Sequence, residues 1–361
     1  MALNANRRVT INDIAAAAGV SRTTVSRYIN GQTHLMSEET RSRLKTVIQL
    51  LDYRPSDIAR NLRRRTTKMI GVIIADITSP FSSAIIVGIE ETLEHNGYTP
   101  LFVNCSEDPH QEERFLQSFL ARGIDGFIVN TPSTSNKHLI SIACQGTPVI
   151  LCDRNVRDYD FDLVSFDNRM LMDQVVRHLH RAGFSRPALF VEPYEQNSTR
   201  RYRRKWFLRS MEEVYGRDAS GDVYTIHTGE QDDVIPQLQQ FIATLSPGET
   251  PAIFCANTVT TQRLYHAMRN LNLRIPEDMG LCGTEDWNWD QGMNWSVYMD
   301  PGITTSTLAS RELGKRAAEL LLQRITSPEL PPQRIYLPVE MVVRASTQRT
   351  GRPADSARVC F

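Results

Sequence analysis

From Met69 onward, short apolar runs alternate with amphipathic stretches, and this alternation limits the fold more than any other feature of the chain. The runs MIGVIIAD at Met69, TPLFVNC at Thr99, DGFIVN at Asp125 and PVILCD at Pro148 read as strands, separated by helical stretches such as the one ending near Asn96 and QEERFLQSFLARG. After a boundary near Val164 the rhythm resumes with PALFVE at Pro187, DVYTIH at Asp222, PAIFCAN at Pro251 and MGLCGTED at Met279. Strand and helix taken in turn predict parallel βαβ units, and two such series predict two similar α/β lobes. A late helix from Ser306 to Ile325 and a strand near Ile335 to Val343 are expected to return the chain to each lobe, which builds a hinge around a cleft.

Ligands of open parallel sheets lie beyond the C-terminal ends of the strands. The candidate positions are therefore Asp76 with Pro80, Phe81 and Ser82, then Asn130, Asp153 with Arg154, the segment from Asn197 to Arg204, Asn257, and Glu285 with Asp286 and Trp287. The body contains no P-loop, no G-x-G-x-x-G after its first strand, no G-x-S-x-G and no H-E-x-x-H, so no catalytic residues are assigned.

The charge is divided unevenly. Residues 1–68 hold 13 Lys+Arg against 5 Asp+Glu, a net of +8, and residues 69–361 hold 28 against 36, a net of −8. A basic head gains free energy by displacing counterions from a polyanion. Charge alone does not separate DNA from RNA or an anionic membrane. The absence of an 18-residue apolar run, and of an apolar stretch in MALNANRRVT, predicts a cytoplasmic protein with no membrane partner. Its six cysteines are scattered, without a C-x-x-C pair or a histidine at ligand spacing, so they read as small apolar residues; no metal, disulfide framework or cofactor is called for.

The head reads as three helices. Thr10 caps the first, with Asp13 at its third position and Ile14, Ala17 and Ala18 on one face, before Gly19-Val20-Ser21 breaks it. Ser21 caps the second, which turns Arg22, Thr23, Thr24, Ser26, Arg27 and Asn30 outward and Val25 and Ile29 inward. Ser37 caps the third, whose Glu38 and Glu39 favour the positive end of the dipole and whose inner stripe is Leu44, Val47, Ile48 and Leu51. A polar second helix of this kind suits major-groove reading, although a solvated helical face has the same composition.

The unbroken string V-T-I-N-D-I-A-A-A-A-G-V-S-R-T-T-V-S-R-Y-I-N-G, from Val9 to Gly31, resembles the head of the lactose and galactose repressor family. The likeness continues through S-E-E-T-R at Ser37 and through L-D-Y-R-P-S-D-I-A-R-N-L at Leu51, which is similar to that family's hinge. The stretch from Asn30 to Arg41 is one residue longer than usual, so the loop from Gln32 to Met36 is expected to sit differently against the DNA backbone. The resemblance implies that Arg22 and Thr23 choose operator bases and that Arg27 adds a base contact. It gives phosphate contacts and register to Thr10, Ser21, Thr24, Ser26 and Asn30. It further implies that Leu62 wedges open a central base step in the minor groove while Arg60, Arg63, Arg64 and Arg65 meet phosphates. A homodimer on a pseudo-palindromic DNA operator follows. The tail T-Q-R-T-G-R-P-A-D-S-A-R-V-C-F lacks the leucine heptads of a terminal bundle.

The body is also similar to that family's sensor domain, through S-P-F at Ser79, A-R-G-I-D-G at Ala121, L-C-D-R at Leu151, P-E-D-M-G at Pro276, P-G-I-T-T at Pro301 and G-K-R-A-A-E-L-L-L at Gly314. The implied fold is an all-α helix-turn-helix head followed by an α/β two-lobed, periplasmic-binding-protein-like sensor. The implied domains are a DNA-binding head over 1–54, a hinge helix and linker over 55–68, an effector-binding and dimerisation domain over 69–346 and a flexible tail over 347–361. Within the body, lobe 1 takes 69–164 plus 302–330 and lobe 2 takes 165–298 plus 333–346.

By position the resemblance places Phe81 and Ser82 along the cleft and gives ligand hydroxyls to Asp153. Arg203 becomes the clamping arginine, Asn197 lies in the same cleft-entering segment, and Asn257 and Glu285 supply further polar contacts. Trp206 stands where glycine is usual, Glu285 where aspartate is, and Leu308-Ala309 where Gln-Pro is, which argues against a neutral hexose or a purine. The segment from Asn197 to Lys205 carries five cations and points to an anionic effector, a sugar acid such as gluconate or keto-gluconate, with Trp287 or Trp289 stacking on the sugar. Helical geometry offers the opposing view that most of these cations face solvent and only Arg203 turns inward. A purine- or nucleoside-responsive regulator, or a soluble sugar-binding protein or enzyme, are the competing readings.

Overall fold

The computed structural model describes residues 9–29, 31–51, 66–229, 231–284 and 294–349, and the chain divides into two compact units, Met1–Thr67 and Lys68–Phe361. In the first unit α1 (Ile11–Ala18), α2 (Arg22–Ile29) and α3 (Glu38–Leu50) enclose a small core of Ile14, Ala15, Ala18, Val25 and Leu44. Thr10 and Asp13 form a reciprocal capping box, which satisfies two N–H groups that the helix cannot satisfy itself. Gly19 ends α1 in the left-handed conformation, φ 62°, that a side chain would strain. The buried stripe runs through Ala15 rather than Ala17, because Ile14, Ala15 and Ala18 lie within one arc of the helical wheel and Ala17 falls outside it.

The second unit is built on two six-stranded sheets. The first has the order β11-β5-β4-β3-β1-β2, from β1 (Met69–Ile74), β2 (Thr99–Asn104), β3 (Gly126–Val129), β4 (Val149–Cys152), β5 (Asp162–Phe166) and β11 (Arg334–Leu337). The second has the order β12-β10-β9-β8-β6-β7, from β6 (Arg186–Val191), β7 (Val223–Thr225), β8 (Pro251–Cys255), β9 (Gly280–Thr284), β10 (Thr304–Thr307) and β12 (Glu340–Val342). All the pairings are parallel except that of β12 with β10. Around the first sheet lie α4 (Pro80–His95), α5 (Pro109–Ala121) and α6 (Lys137–Cys144). The second lobe carries α7 (Asn168–Arg181), α8 (Ser198–Tyr215), α9 (Val234–Ala243), α10 (Thr258–Asn270) and the short α11 (Trp295–Tyr298). The last helix, α12 (Ser310–Thr326), returns to pack on α4 in the first lobe.

The return path differs from the sequence expectation in three places. Residues 302–330 do not all join the first lobe: Thr304–Thr307 is a strand of the second sheet, and only from Ser310 does the chain cross back. The stretch near Ile335 to Val343 is not one strand in the second lobe. Arg334–Leu337 pairs with β5 in the first sheet, Pro338 and Val339 cross over, and Glu340–Val342 pairs with β10 in the second. Among the described residues the lobes are therefore joined by three crossings, at Asp167, at Leu308-Ala309 and at Pro338-Val339. Leu308 and Val339 are buried in an apolar cluster that runs through both lobes. Finally, Thr347 is fully buried rather than part of a tail: its Oγ1 lies 2.6 Å from Thr304 Oγ1 and 2.8 Å from His178 Nε2. Lys68 likewise joins the body, with its ammonium 3.9 Å over the Tyr98 ring and its N–H donated to Asp125.

The closest helix crossing constrains the first lobe. A Cβ on Gly314 would lie 2.1 Å from the Ile85 carbonyl oxygen, and one on Gly88 2.0 Å from that of Arg311, so α4 and α12 meet backbone to backbone. A backbone carbonyl cannot step aside as a side chain can. Gly314→Ala is expected to cost about 1–3 kcal/mol or more of stability in urea denaturation; an unchanged midpoint would show a looser crossing.

Candidate functional site

The polar face of α2 is arranged by its own caps. Ser21 Oγ accepts the Thr24 N–H at 3.1 Å and lies 2.9 Å from Thr24 Oγ1, so one hydroxyl hydrogen is used between them and one is left for an outside acceptor. Arg22, Thr23 and Arg27 are exposed, while Thr24 and Ser26 are half-buried. The Thr10 hydroxyl donates to Asp13 Oδ2 at 2.6 Å, which spends its hydrogen within the head. Asn30 and Leu62 lie outside the described residues.

Between the two lobes is a cleft with a cavity of about 120 Å3, bordered by the C-terminal ends of strands from both sheets. Asp153, one residue past β4, is buried and adopts a left-handed φ of 67°, a conformation that Asp tolerates better than most residues. Its N–H is held by the Val164 carbonyl at 2.7 Å, and its carbonyl accepts Ser165 Oγ at 2.8 Å and Thr199 Oγ1 at 3.2 Å. Thr199 Oγ1 also reaches Asp153 Oδ2 at 3.3 Å, but the buried Oδ1 has no partner among the described residues. Burial pushes the Asp153 carboxyl above the usual carboxylate range, against the pull of the Arg203 and Arg154 guanidinium groups.

Among the described residues three arginines border the cavity, each held differently. Arg154 forms a two-pronged pair with Glu107, at 2.7 and 2.6 Å, and reaches the Thr131 carbonyl at 3.3 Å. Arg200 donates to Glu192 Oε2 at 2.5 Å and to the Pro193 carbonyl at 3.1 Å; burial lowers its pKa despite that carboxylate. Arg203, only 4% exposed, donates its Nε to Asn168 Oδ1 at 3.0 Å and its Nη1 to the Ala256 carbonyl.

Asn197 and Asn257 begin helices. Asn197 Oδ1 accepts the Arg200 N–H at 3.0 Å, and Asn257 Oδ1 accepts the Thr260 N–H at 2.8 Å while its Nδ2 donates to Glu192 Oε2. The Phe81 ring sits 6.3 Å from that of Phe166, and Ser82 is buried beside it in the first turn of α4.

The cleft thus gathers Phe81, Ser82, Asp153, Asn197, Arg203 and Asn257, together with Asp76, Asn130 and Arg154. Glu285 and Trp287 lie outside the described residues. Asn130 faces the cavity but donates to the Cys152 carbonyl at 2.9 Å, a strand-end brace. The five-cation segment is split: Arg200 and Arg203 line the cleft, whereas Arg201, Arg204 and Lys205 line a different cavity. Sequence reasoning missed Glu107 and Glu192, the two carboxylates that occupy cleft arginines. Glu192 directly follows β6, so the strand-end rule reaches it; Glu107 sits three residues past β2 at a positive φ of 58°.

The loop after β3 is set by a buried acid. Glu112 of α5, 1% exposed, accepts Thr131 Oγ1 at 3.3 Å and Asn136 Nδ2, and Asn136 in turn caps α6. Since the Thr131 carbonyl is one of the acceptors of Arg154, this buried carboxyl positions a wall of the cleft. Cys105, Cys152, Cys255 and Cys282 are buried thiols and Cys144 is exposed. Among the described residues no group of three or more His, Cys, Asp or Glu side chains is placed to hold a metal ion, and no helix is long and apolar enough to cross a membrane.

A helix-turn-helix unit and a two-lobed α/β body closing on a polar cleft define a DNA-binding regulator with a small-molecule sensor domain. Residues 10–56 match the bacterial regulatory proteins of the lacI family, and residues 67–345 match the periplasmic binding proteins and sugar binding domain of the LacI family. The HTH-type transcriptional regulator KdgR of Bacillus subtilis is 33% identical over 337 residues, spanning 93% of this chain and 97% of its own length. The HTH-type transcriptional regulator PtxS of Pseudomonas aeruginosa is 33% identical over 345 residues, with 95% and 97% covered. The fold is shared with the lac repressor dimer bound to operator and the anti-inducer ONPF, at a TM-score of 0.80 and 22% identity, over 95% of this chain and 100% of that one. The chain belongs to the LacI family of DNA-binding transcriptional regulators.

The buried acid makes stability depend on pH. Burial raises the Glu112 pKa from 4.5 to about 7, so the folded state keeps a proton that the unfolded state releases, and stability falls as pH rises from 4.5 to 7. Glu112→Gln is expected to be more stable than the parent by about 2–3 kcal/mol at pH 8, with the difference vanishing below pH 4.5, as read by urea denaturation at both pH values. An equal difference at both would show that the carboxyl is not charged at pH 8.

Proposed function

We propose that the chain is a cytoplasmic, homodimeric repressor whose affinity for a pseudo-palindromic operator is set by a sugar acid bound between the lobes. The observation that carries the effector class is the meeting of Arg200 and Arg203 with Asp153 at one cavity. A guanidinium fork suits a carboxylate, and the unmet Asp153 Oδ1 suits a hydroxyl hydrogen. Glu192 now holds both Arg200 and Asn257, so an incoming carboxylate takes its place on Arg200 while ligand hydroxyls meet Glu192 and Asn257. Phe81, Ser82 and Asn197 shape the cavity, and Glu285 and Trp287 are assigned a further polar contact and a stacking face.

Closure on the ligand moves the lobes about three short crossings and alters the spacing of the two heads. A tenfold change in operator affinity requires about 1.4 kcal/mol of differential effector affinity between the two states. In the head, Arg22, Thr23 and Arg27 read bases, and Ser21, Thr24, Ser26, Asn30 and the turn begun by Thr10 hold phosphates. Leu62 wedges the central base step.

Fluorescence anisotropy on DNA from upstream of the gene, at fixed salt, tests this reading. A sugar acid is expected to shift operator affinity at least tenfold where neutral sugars and nucleobases do not, and Arg200→Gln is expected to abolish that shift while leaving effector-free binding unchanged. A response to a neutral sugar alone contradicts the effector class. In the same assay Arg22→Ala is expected to cost about 1–3 kcal/mol on operator and much less on random DNA; equal losses on both would make Arg22 a phosphate contact.

A further inference from the structure

The start of α8 has two basic faces. Arg200 and Arg203 turn into the cleft, while Arg201, Arg204 and Lys205 turn to a second cavity of about 300 Å3, closed on the other side by Arg157 and Asn155 of the first lobe. We propose that this second cavity is a binding site for a multiply charged phosphorylated small molecule, whose occupancy ties the two lobes together.

Charge is the first support. Four cations line the cavity with no carboxylate among them, and none of the four is within ion-pair distance of an acid among the described residues. The cleft next door is built the other way, with Glu107 on Arg154 and Glu192 on Arg200. Four unneutralised cations around one cavity repel each other, and a ligand carrying two or more negative charges relieves this better than a monocarboxylate does.

Unmet polar atoms are the second support. The Nε of Arg204 and the Oδ1 of Asn155 are both shielded from solvent and both lack a hydrogen-bond partner. Buried polar atoms are rarely left so, because each costs its desolvation without return. A phosphoryl oxygen satisfies the first and a ligand hydroxyl the second. The walls of the cavity are already fixed: the Asn155 N–H donates to Ser198 Oγ across the lobes at 2.7 Å, the Arg157 backbone N–H donates to the Thr134 carbonyl at 2.8 Å, and the Arg157 Nη2 reaches Thr134 Oγ1 at 3.3 Å. Since Arg157 comes from one lobe and Arg201, Arg204 and Lys205 from the other, a single anion in contact with both favours the arrangement in which they face each other.

The test uses the full chain, with no DNA and no sugar acid, so its result is independent of the effector assigned to the cleft. Isothermal titration with inorganic pyrophosphate at fixed ionic strength is expected to show saturable binding. That binding is expected to weaken at least tenfold in Arg157→Gln and in the double variant Arg201→Gln, Lys205→Gln, none of which lines the cleft, and to stay within twofold of the parent in Arg209→Gln, an exposed cation further along α8 that lines neither cavity. The changed side chains of the first two variants are exposed, and an unchanged thermal midpoint confirms that they fold. Pyrophosphate is also expected to slow amide exchange around Asn155–Arg157 and in the first turn of α8. The absence of saturable binding, or binding that survives both sets of Gln substitutions or falls as far in Arg209→Gln, overturns the site; binding without slowed exchange overturns the tie between lobes.

Discussion

The cleft depends on burying a guanidinium. Arg203 is almost fully removed from water, and an arginine cannot shed its charge to ease the cost, so its hydrogen bonds must be met by the protein around it. Asn168, which meets one of them, follows the first crossing between the lobes, and Ala256, which meets another, follows the strand that ends at Cys255. One side chain thus braces α8 against the beginning of α7 and the C-terminal end of β8. Asp153 adds a carboxylate from the first lobe, itself costly to bury and eased by the Arg203 charge. Each lobe thus brings one buried ionisable group to the cleft.

The two other cleft arginines are paired with carboxylates. Arg154 and Arg200 are partly buried and occupied by Glu107 and Glu192, carboxylates on loops at strand ends. A ligand that competes for such an arginine exchanges one charge-assisted contact for another, so the net gain is modest and the geometry of the exchange decides specificity. The lobes are linked by short crossings at Asp167, Leu308-Ala309 and Pro338-Val339, with Leu308 and Val339 anchored in shared apolar packing, and the proposed closure would turn about these.

Much of this was legible in the sequence where side-chain chemistry and period agree. The strands from Met69 to Cys152 and from Arg186 to Thr284 are apolar runs, and the caps Thr10, Ser21 and Ser37 each precede a helix whose donors they satisfy. Strand Thr304–Thr307 was not legible, because TTST carries no apolar pattern and is buried through hydrogen bonds, as Thr304 shows with Ser346 and Thr347. The stretch from Ile335 to Val343 has the period of one strand, and only tertiary pairing divides it between two sheets. In the cleft, Asp153 and Asn257 follow from strand-end placement and Arg203 from the family resemblance, whereas Glu107 could not be found, since an exposed acid in a polar turn resembles any other until its arginine is located. The cations of α8 show the limit of composition, which counts charges without saying which face of the helix each one takes.

The central claim is that the cleft and the head are coupled through lobe closure. Linkage makes this coupling reciprocal: whatever factor an effector imposes on operator affinity, operator must impose on effector affinity. The direct measurement is calorimetric titration of the active sugar acid into the protein, free and saturated with operator DNA at the same salt. The account predicts a change in effector dissociation constant equal to the factor by which that effector shifts operator binding. An effector affinity that is the same with and without operator would contradict it.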